Sequence, residues 1–251
     1  MLLQRIIPVL LLKNRSLIKT VRFGKYQYIG DPCNTAKIFN ELEVDEMIIL
    51  DIEASQKKKI DFNILSDLAS ECFMPLSYGG GIRKINDAEE LFKRGIEKII
   101  INTHGFENNN FFNELSKEFG NQAIVASVDY KLKKGIRTIY SYSGRNEEKI
   151  KIKEWIKLIE SSGVGELMLT FIDNEGTWNG FDYNFLKDIV DSIKIPVIAH
   201  GGAGHISDIK KAFEFSNVSA VGLGSLVVYQ KKDMGVLVNF PNRELLTKKK
   251  I

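Results

Sequence analysis

Short apolar runs alternate with longer amphipathic stretches along the whole chain. The runs begin near Arg5, Glu46, Pro75, Glu97, Gln122, Gly165, Ile195 and Val218. Between them, apolar residues at helical spacing predict helices over 33–42, 61–72, 87–94, 110–119, 152–161, 184–192 and 207–215, with only a weak signal for an eighth. A strand-then-helix alternation is the signature of parallel β/α units. Eight such strands in 251 residues predict an α/β fold of the (β/α)8 TIM-barrel type rather than an open doubly wound sheet. The barrel is expected as one domain over 1–251, with half-barrels of about 1–120 and 121–230. A tail of about 231–251 follows, where Gly235 and Pro241 interrupt the pattern and the lysine-rich end is expected to fray.

Composition narrows the function classes. With 44% hydrophobic and 27% charged residues, the chain can bury a large core. Its net charge is only +3, and its lysine runs, Lys57 to Lys59 and Lys248 to Lys250, read as solvated ends. No basic stripe argues for nucleic acid. Cys33 and Cys72 are far apart in sequence and lack CxxC or Cys/His companions, which argues against zinc or a disulfide framework and for inert thiols in a reducing compartment. The apolar start, MLLQRIIPVLLL, lacks a small-residue cleavage site and is interrupted by Arg5 and Pro8; it reads as the first buried strand of a cytoplasmic protein with no membrane association. Neither a metal-ligand cluster nor a GxGxxG spacing is present, so no cofactor is implied.

One glycine-rich strand end occurs twice. The segment PLSYGGG (75–81) aligns without a gap on PVIAHGG (196–202), and the match continues from Ile85-Asn86-Asp87 onto Ile206-Ser207-Asp208. In each copy an apolar strand runs into glycines and then a helix, with Asn86 and Ser207 as expected N-caps. Glycines lacking Cβ before a helix N-terminus are the makings of a backbone phosphate cradle. Two of them suggest a substrate with a phosphate at each end.

Two connections exceed what a barrel requires, Lys13 to Asp31 and Tyr130 to Lys149; the alternating run 136–142 in the second predicts a small hairpin. Long loops at the C-terminal ends of barrel strands carry lids and binding groups. Polar residues gather at those same strand ends: Asp51, Asn102, Thr103, Asp129, Thr170, Asp173 and Ser225. A carboxylate there can shuttle protons, or it can simply cap the following helix.

RIIP (5–8), ILDI (49–52), GGGI (79–82), INT (101–103), YSG (142–144), GELMLTFIDNEGT (165–177) and HGGAG (200–204) together resemble the cyclase subunit of imidazole glycerol phosphate synthase, the HisF family, over about residues 1–228. The resemblance implies a barrel fused from two half-barrels. It also implies one phosphate site at Gly80, Gly81, Asn102 and Thr103, a second at Thr170, Gly176, Gly201, Gly202, Gly224 and Ser225, and a lysine, Lys19, on a mobile first loop that closes over the substrate. The family's catalytic pair is an Asp ending strand one and an Asp ending strand five. Here the second is Asp129, while the first is Leu11, which cannot exchange a proton. Lys13, on the same strand face, Asp51 or water are the candidate replacements. Glu175 and His200 also depart from the family's usual Asp and Ser.

Arg5, Glu46, Lys98 and Glu166 lie at the bottoms of four strands, two of each sign. Strand parity puts Lys98, Ile100 and Asn102 on one face, as it does Glu166, Met168 and Thr170. Charge at the floor, apolar groups midway and polar groups at the top describe a passage along a hollow axis, although a barrel floor needs polar cover in any case. In the family these four positions form a salt-bridged gate for ammonia made by a docked HisH-type glutaminase. Docking machinery kept while Leu11 removes half of the proton-transfer pair resembles the HisF-like proteins of surface-sugar clusters. Those work with a glutaminase and a separate sugar amidotransferase to install an acetamidino group. The alternatives are the histidine-pathway cyclase itself and a non-catalytic partner that only activates a glutaminase.

Overall fold

A computed structural model describes residues 4–242. Eight parallel strands close into a barrel: β1 (Arg5–Lys13), β2 (Met47–Asp51), β3 (Leu76–Gly79), β4 (Lys98–Ile101), β5 (Ile124–Lys133), β6 (Glu166–Phe171), β7 (Val197–His200) and β8 (Ala220–Leu223). Each pairs with its neighbour in sequence, and β8 pairs back to β1 through Arg5 with Ala220 and Pro8 with Leu223. The predicted (β/α)8 architecture is therefore present. Among the described residues no helix is long and apolar enough to cross a membrane.

Alternation sorts the core into two layers. Ile7, Val9, Ile48, Ile100, Val125, Met168, Ile198 and Ala220 face the axis and pack on one another. Their neighbours in sequence face outward into a larger core under the helices. Burial of each such aliphatic side chain contributes about 1.5–3 kcal/mol. The axis is thus a packed layer rather than a hollow bore, which corrects the open passage expected from residue parity. Parity fixed which side chains face inward, but the inward Ile, Val and Met side chains of six strands, with Ala220 on β8, fill the space they enclose.

The helices follow their sequence signals. Helix Ile152–Ser161 buries Ile152, Trp155, Ile156 and Ile159, one stripe at helical spacing, and ends at Gly163, whose φ of 80° suits a residue without Cβ. Helix Pro32–Glu41 starts with Pro32 in its first turn and with Asp31 accepting from the Asn34 N–H at 2.8 Å. The weak eighth helix is a single turn, Ser225–Val228. The chain then folds back, Leu237 N donating to Val228 O at 3.0 Å; the predicted lysine-rich end at Lys248 to Lys250 lies outside the described residues.

The repeat is a structural one. Helices Ile85–Phe92 and Ile206–Glu214 are capped alike: Asp87 Oδ2 accepts from Arg83 N and Lys84 N at 2.9 and 3.0 Å, and Asp208 Oδ2 accepts from Gly204 N and His205 N at 2.9 Å each. The N-cap positions are therefore Lys84 and His205. Asn86 and Ser207, expected as caps, sit inside the first turn, because an aspartate at the third helical position supplies the acceptor instead.

Both long connections are built on strand extensions. Ser16–Thr20 pairs antiparallel with the end of β1 and with Tyr26–Gly30, and Ile136–Ser141 pairs with the end of β5, from Asp129 with Tyr140 to Lys133 with Ile136. The predicted hairpin at 136–142 exists, but its partner strand is β5 itself.

Candidate functional site

The C-terminal ends of the strands open into a cavity lined by Leu11, Leu50, Asp51, Ile100, Asn102, Asp129, Thr170, His200 and the glycines 79–81, among others. Its walls differ. Adjacent in register on the first half-barrel are Leu11, Leu50, Gly79 and Ile100; the equivalent row on the second half is Asp129, Thr170, His200 and Gly222. At this level one wall is apolar and the other carries the polar chemistry. Lys13, a candidate replacement for the absent acid, sits 3.9 Å over the Tyr26 ring and 3.7 Å from Glu53, engaged outside the groups that line the cavity. Asp51 does line it, with Oδ1 accepting from Glu53 N and Ala54 N at 2.9 and 3.0 Å.

Asp129 is the buried carboxyl of this row. Burial disfavours its charged form more than hydrogen bonds from Thr170 and Ser127 favour it, pushing the carboxyl up to about 7. Asn102 Nδ2 donates to its other oxygen at 2.9 Å, leaving Asn102 Oδ1 buried without a partner. His200, hydrogen-bonded through Nδ1 to Thr170 Oγ1 at 3.2 Å, is held down to about 3 by burial and then by the charge of Lys19, so its ring is neutral.

The paired glycine segments sit at the same end of the barrel. Gly80 and Gly81 have φ of 136° and 71°, Gly201 and Gly202 90° and 123°. A Cβ at Gly80 would stand 2.6 Å from Asp51 O, and one at Gly202 only 2.1 Å from Gly180 O. Asn102 and Gly224 begin the matching short helices with the same unusual backbone, φ −123° and ψ −85° against φ −100° and ψ −90°. Local geometry thus repeats across the halves even where side chains differ.

The structure brings only one of the two expected phosphate groups into the open cavity. Gly80, Gly81, Asn102 and Thr103 line it together with Thr170. Gly201, Gly202, Gly224, Ser225 and Gly176 are not among its lining residues, and Gly224 and Gly176 pack against the first loop. Lys19, expected on a mobile segment, is buried in strand Ser16–Thr20; its side chain packs on Gly224, and its ammonium is ion-paired with buried Glu175. Glu175 also accepts from Thr20 Oγ1 and Phe23 N, each at 3.1 Å. Gly176 packs under Thr20 O, where a Cβ would come within 2.4 Å. Loop one is thereby latched to the β6 loop.

At the opposite end, Arg5, Glu46, Lys98 and Glu166 close a ring of alternating charge. Arg5 bonds Glu46 and Glu166 at 2.7 Å each, and Lys98 bonds Glu166 at 2.7 Å and Glu46 at 3.1 Å. Ser77 Oγ adds a 2.9 Å bond to Glu46. Burial alone would raise Glu166, but Arg5 and Lys98 together hold it below the usual carboxylate range. Satisfied in this way, four charges can sit at a barrel floor that excludes most water.

Several groups lay beyond the sequence reading. Ser127, whose Oγ is 3.4 Å from Asp129 Oδ1, was legible in principle as the residue two before it on the same strand face. Tyr78, with its hydroxyl buried, unpartnered and beside Gly80, carried no signal because strand parity turns it to the outer core. Cys33 and Cys72 are half-buried free thiols, the latter pushed up to about 12 by burial, as suits inert cysteines.

The histidine biosynthesis protein family matches residues 5–233. A Pseudomonas aeruginosa protein provisionally named imidazole glycerol phosphate synthase subunit hisF2 is 42% identical over 246 residues, 96% of this chain and 97% of the relative. A Campylobacter jejuni protein provisionally given the same name is 40% identical over 229 residues, 91% of this chain and 90% of the relative. The imidazole glycerol phosphate synthase subunit HisF of Lactococcus lactis subsp. cremoris is 38% identical over 232 residues, again covering 91% and 90%.

Proposed function

The chain belongs to the histidine biosynthesis protein family, among relatives named HisF, and on that premise we propose that it is a HisF-type synthase subunit that passes ammonia from a docked HisH-type glutaminase to a phosphorylated ligand at the barrel mouth. One combination carries this reading: a closed ion-pair ring at the floor of the same barrel whose mouth holds a glycine-walled cavity with Asp129. Neutral ammonia can cross the apolar layer between them when Met168 and Ile100 change rotamer; ammonium cannot do so cheaply, because an unpaired charge there is costly. The phosphates are assigned to Gly80, Gly81, Asn102 and Thr103 and to Gly201, Gly202, Gly224 and Ser225, with Thr170 and Gly176 beside the second and Lys19 exchanging Glu175 for the ligand.

Leu11 directs the finer assignment. Without the second carboxylate, the nitrogen is passed on to a sugar amidotransferase for acetamidino-sugar synthesis rather than consumed in imidazole ring closure. A second reading, the histidine-pathway cyclase, draws support from Asp129 and from Asp51 at the same cavity. Purified protein supplied with ammonium salt at high pH and the pathway's phosphoribosyl intermediate separates them. Negligible turnover fits the sugar role, and turnover adequate for growth rejects it. In a coupled assay with glutaminase, Lys98→Ala or Glu166→Ala is expected to depress glutamine-dependent product formation; unchanged output would leave a pure glutaminase activator.

A further inference from the structure

Asp129, Thr170 and His200 form one register row across β5, β6 and β7. Thr170 is the register partner of Asp129 and lies beside its carboxyl, and His200 Nδ1 lies 3.2 Å from Thr170 Oγ1. When the Thr170 hydroxyl gives its hydrogen to the ionised carboxylate it offers the ring only lone pairs; Nδ1 then carries the hydrogen and Nε2 is a bare acceptor. Among the described residues no hydrogen bond engages Nε2. The ring lines the cavity and lies over Gly222, where a Cβ would come within 3.2 Å of His200 Cδ2 and 2.8 Å of Val9 Cγ2. A side chain at this place on β8 would clash with Val9 of β1 and crowd the imidazole.

We propose that Asp129, Thr170 and His200 constitute a proton relay in which His200 Nε2 takes a proton from an O–H or N–H group of the ligand and Asp129 ends by holding it. The ligand's X–H bond breaks and an Nε2–H bond forms; the Nδ1 proton passes to Thr170 Oγ1, and the Thr170 hydroxyl proton passes to the Asp129 carboxylate. The ligand keeps the electron pair, His200 ends as its other neutral tautomer, Thr170 is unchanged, and one negative charge has moved from Asp129 to the ligand. No other reactant is needed. The cavity thereby has two proton-exchanging positions despite Leu11, one at β7 and one at β5.

The electrostatics suit this route. A buried imidazolium near Lys19 is unfavourable, whereas the relay never charges the ring. Asp129, held at about 7, accepts the proton readily. The other charged or titratable groups at the cavity are Lys19 and Glu175, which neutralise each other, Asp51, fixed by two N–H groups, and Arg83 and His104, both engaged by Glu107. Tyr140, the register partner of Asp129 in the hairpin, turns its hydroxyl to Glu147, and β8 and β1 present Gly222, Val9 and Leu11, none of which titrates.

The inference rests on the cavity being the ligand site, but its test needs no turnover. Nitrogen-15 NMR of the three histidine rings in the intact protein, with carbon-13 shifts of the Asp129 carboxyl, is followed through neutral pH. Above the Asp129 midpoint His200 is expected as the Nδ1–H tautomer. Below it, protonated Asp129 donates to Thr170, which donates to Nδ1, and the ring converts to the Nε2–H tautomer with the same midpoint and no net charge. Thr170→Ser should keep this coupling and Thr170→Val abolish it; should the valine variant fail to fold, the wild-type titration decides. A ring that becomes doubly protonated with Asp129, or a tautomer that stays fixed while Asp129 titrates, overturns the relay. Failure of inorganic phosphate or sugar phosphates to bind would count against the proposed function and leave the tautomer exchange untouched.

Discussion

Leu11 and Asp129 occupy equivalent places in the two half-barrels, on strands β1 and β5, and both line the one cavity at the mouth. A barrel that lost its internal symmetry at this pair alone would have a single tuned carboxylate opposite an aliphatic patch. Here the asymmetry extends along the whole row, with Leu50 against Thr170 and Gly79 against His200. The first half supplies an apolar wall and the second supplies the titratable and hydroxyl side chains.

Restoring the carboxylate tests what that asymmetry costs. Leu11→Asp is expected to raise ammonia-dependent turnover of the pathway's phosphoribosyl intermediate by about a hundredfold or more, the usual worth of one positioned acid or base. Thermal stability should fall, since position 11 is buried. Steady-state kinetics and a melting curve check both effects, and unchanged turnover would mean that Leu11 is not what limits cyclisation.

The glycine cradles tolerate no side chain. Gly80→Ala and Gly202→Ala place a Cβ 2.6 and 2.1 Å from backbone oxygens at positive φ. Each is expected to destabilise the fold by more than the ~1–3 kcal/mol typical of a strained backbone position and to abolish phosphate binding at its own end. Isothermal titration with inorganic phosphate, beside denaturant unfolding, separates the two losses.

How far the sequence alone disclosed this molecule can be judged from these residues. Alternation and the glycine repeat placed the barrel, the two glycine-rich strand ends, Asp129 and the floor charges, because each depends on strand period and local backbone geometry. The latch between Lys19 and Glu175 was not legible: it joins segments 156 residues apart, and no local pattern encodes such a pairing. Nor was the packed axis, since parity assigns a direction to a side chain but not the volume left between eight of them. The Asp87 carboxylate, one residue past the expected cap Asn86, sets the N-cap back at Lys84 and shows how an acceptor three positions into a helix outcompetes a good N-cap type.

Opening the latch should release loop one. Glu175→Gln removes the charge that holds buried Lys19, and breaking a buried pair from one side costs about 3–5 kcal/mol. Limited proteolysis within 16–30 is expected to accelerate, with protection restored by phosphate if Lys19 transfers to it. Equal proteolysis rates for wild type and variant would argue that the strand pairing, not the ion pair, keeps the loop in place.

Two buried groups set opposite pH dependences on stability. Asp129 is raised from the usual aspartate value to about 7, so its contribution is full below the unfolded value and is lost as pH rises through about 7. His200 is lowered from about 6.5 to about 3, so its contribution is full above 6.5 and is lost as pH falls toward 3. Asp129→Asn should therefore raise the melting temperature at pH 8 relative to wild type far more than at pH 4. His200→Gln should blunt the acid-side loss. Melting curves across pH check the crossing pattern.

The most direct measurement is isotopic. The chain, a HisH-type glutaminase and a sugar amidotransferase of the proposed kind are supplied with glutamine labelled with nitrogen-15 at the amide, in the presence of excess unlabelled ammonium, and the product nitrogen is read by mass spectrometry. Passage through the ring of Arg5, Glu46, Lys98 and Glu166 is expected to keep the label in the wild-type product and to surrender it to bulk ammonium in Lys98→Ala. A wild-type product whose nitrogen matches the bulk ammonium would contradict passage through the barrel.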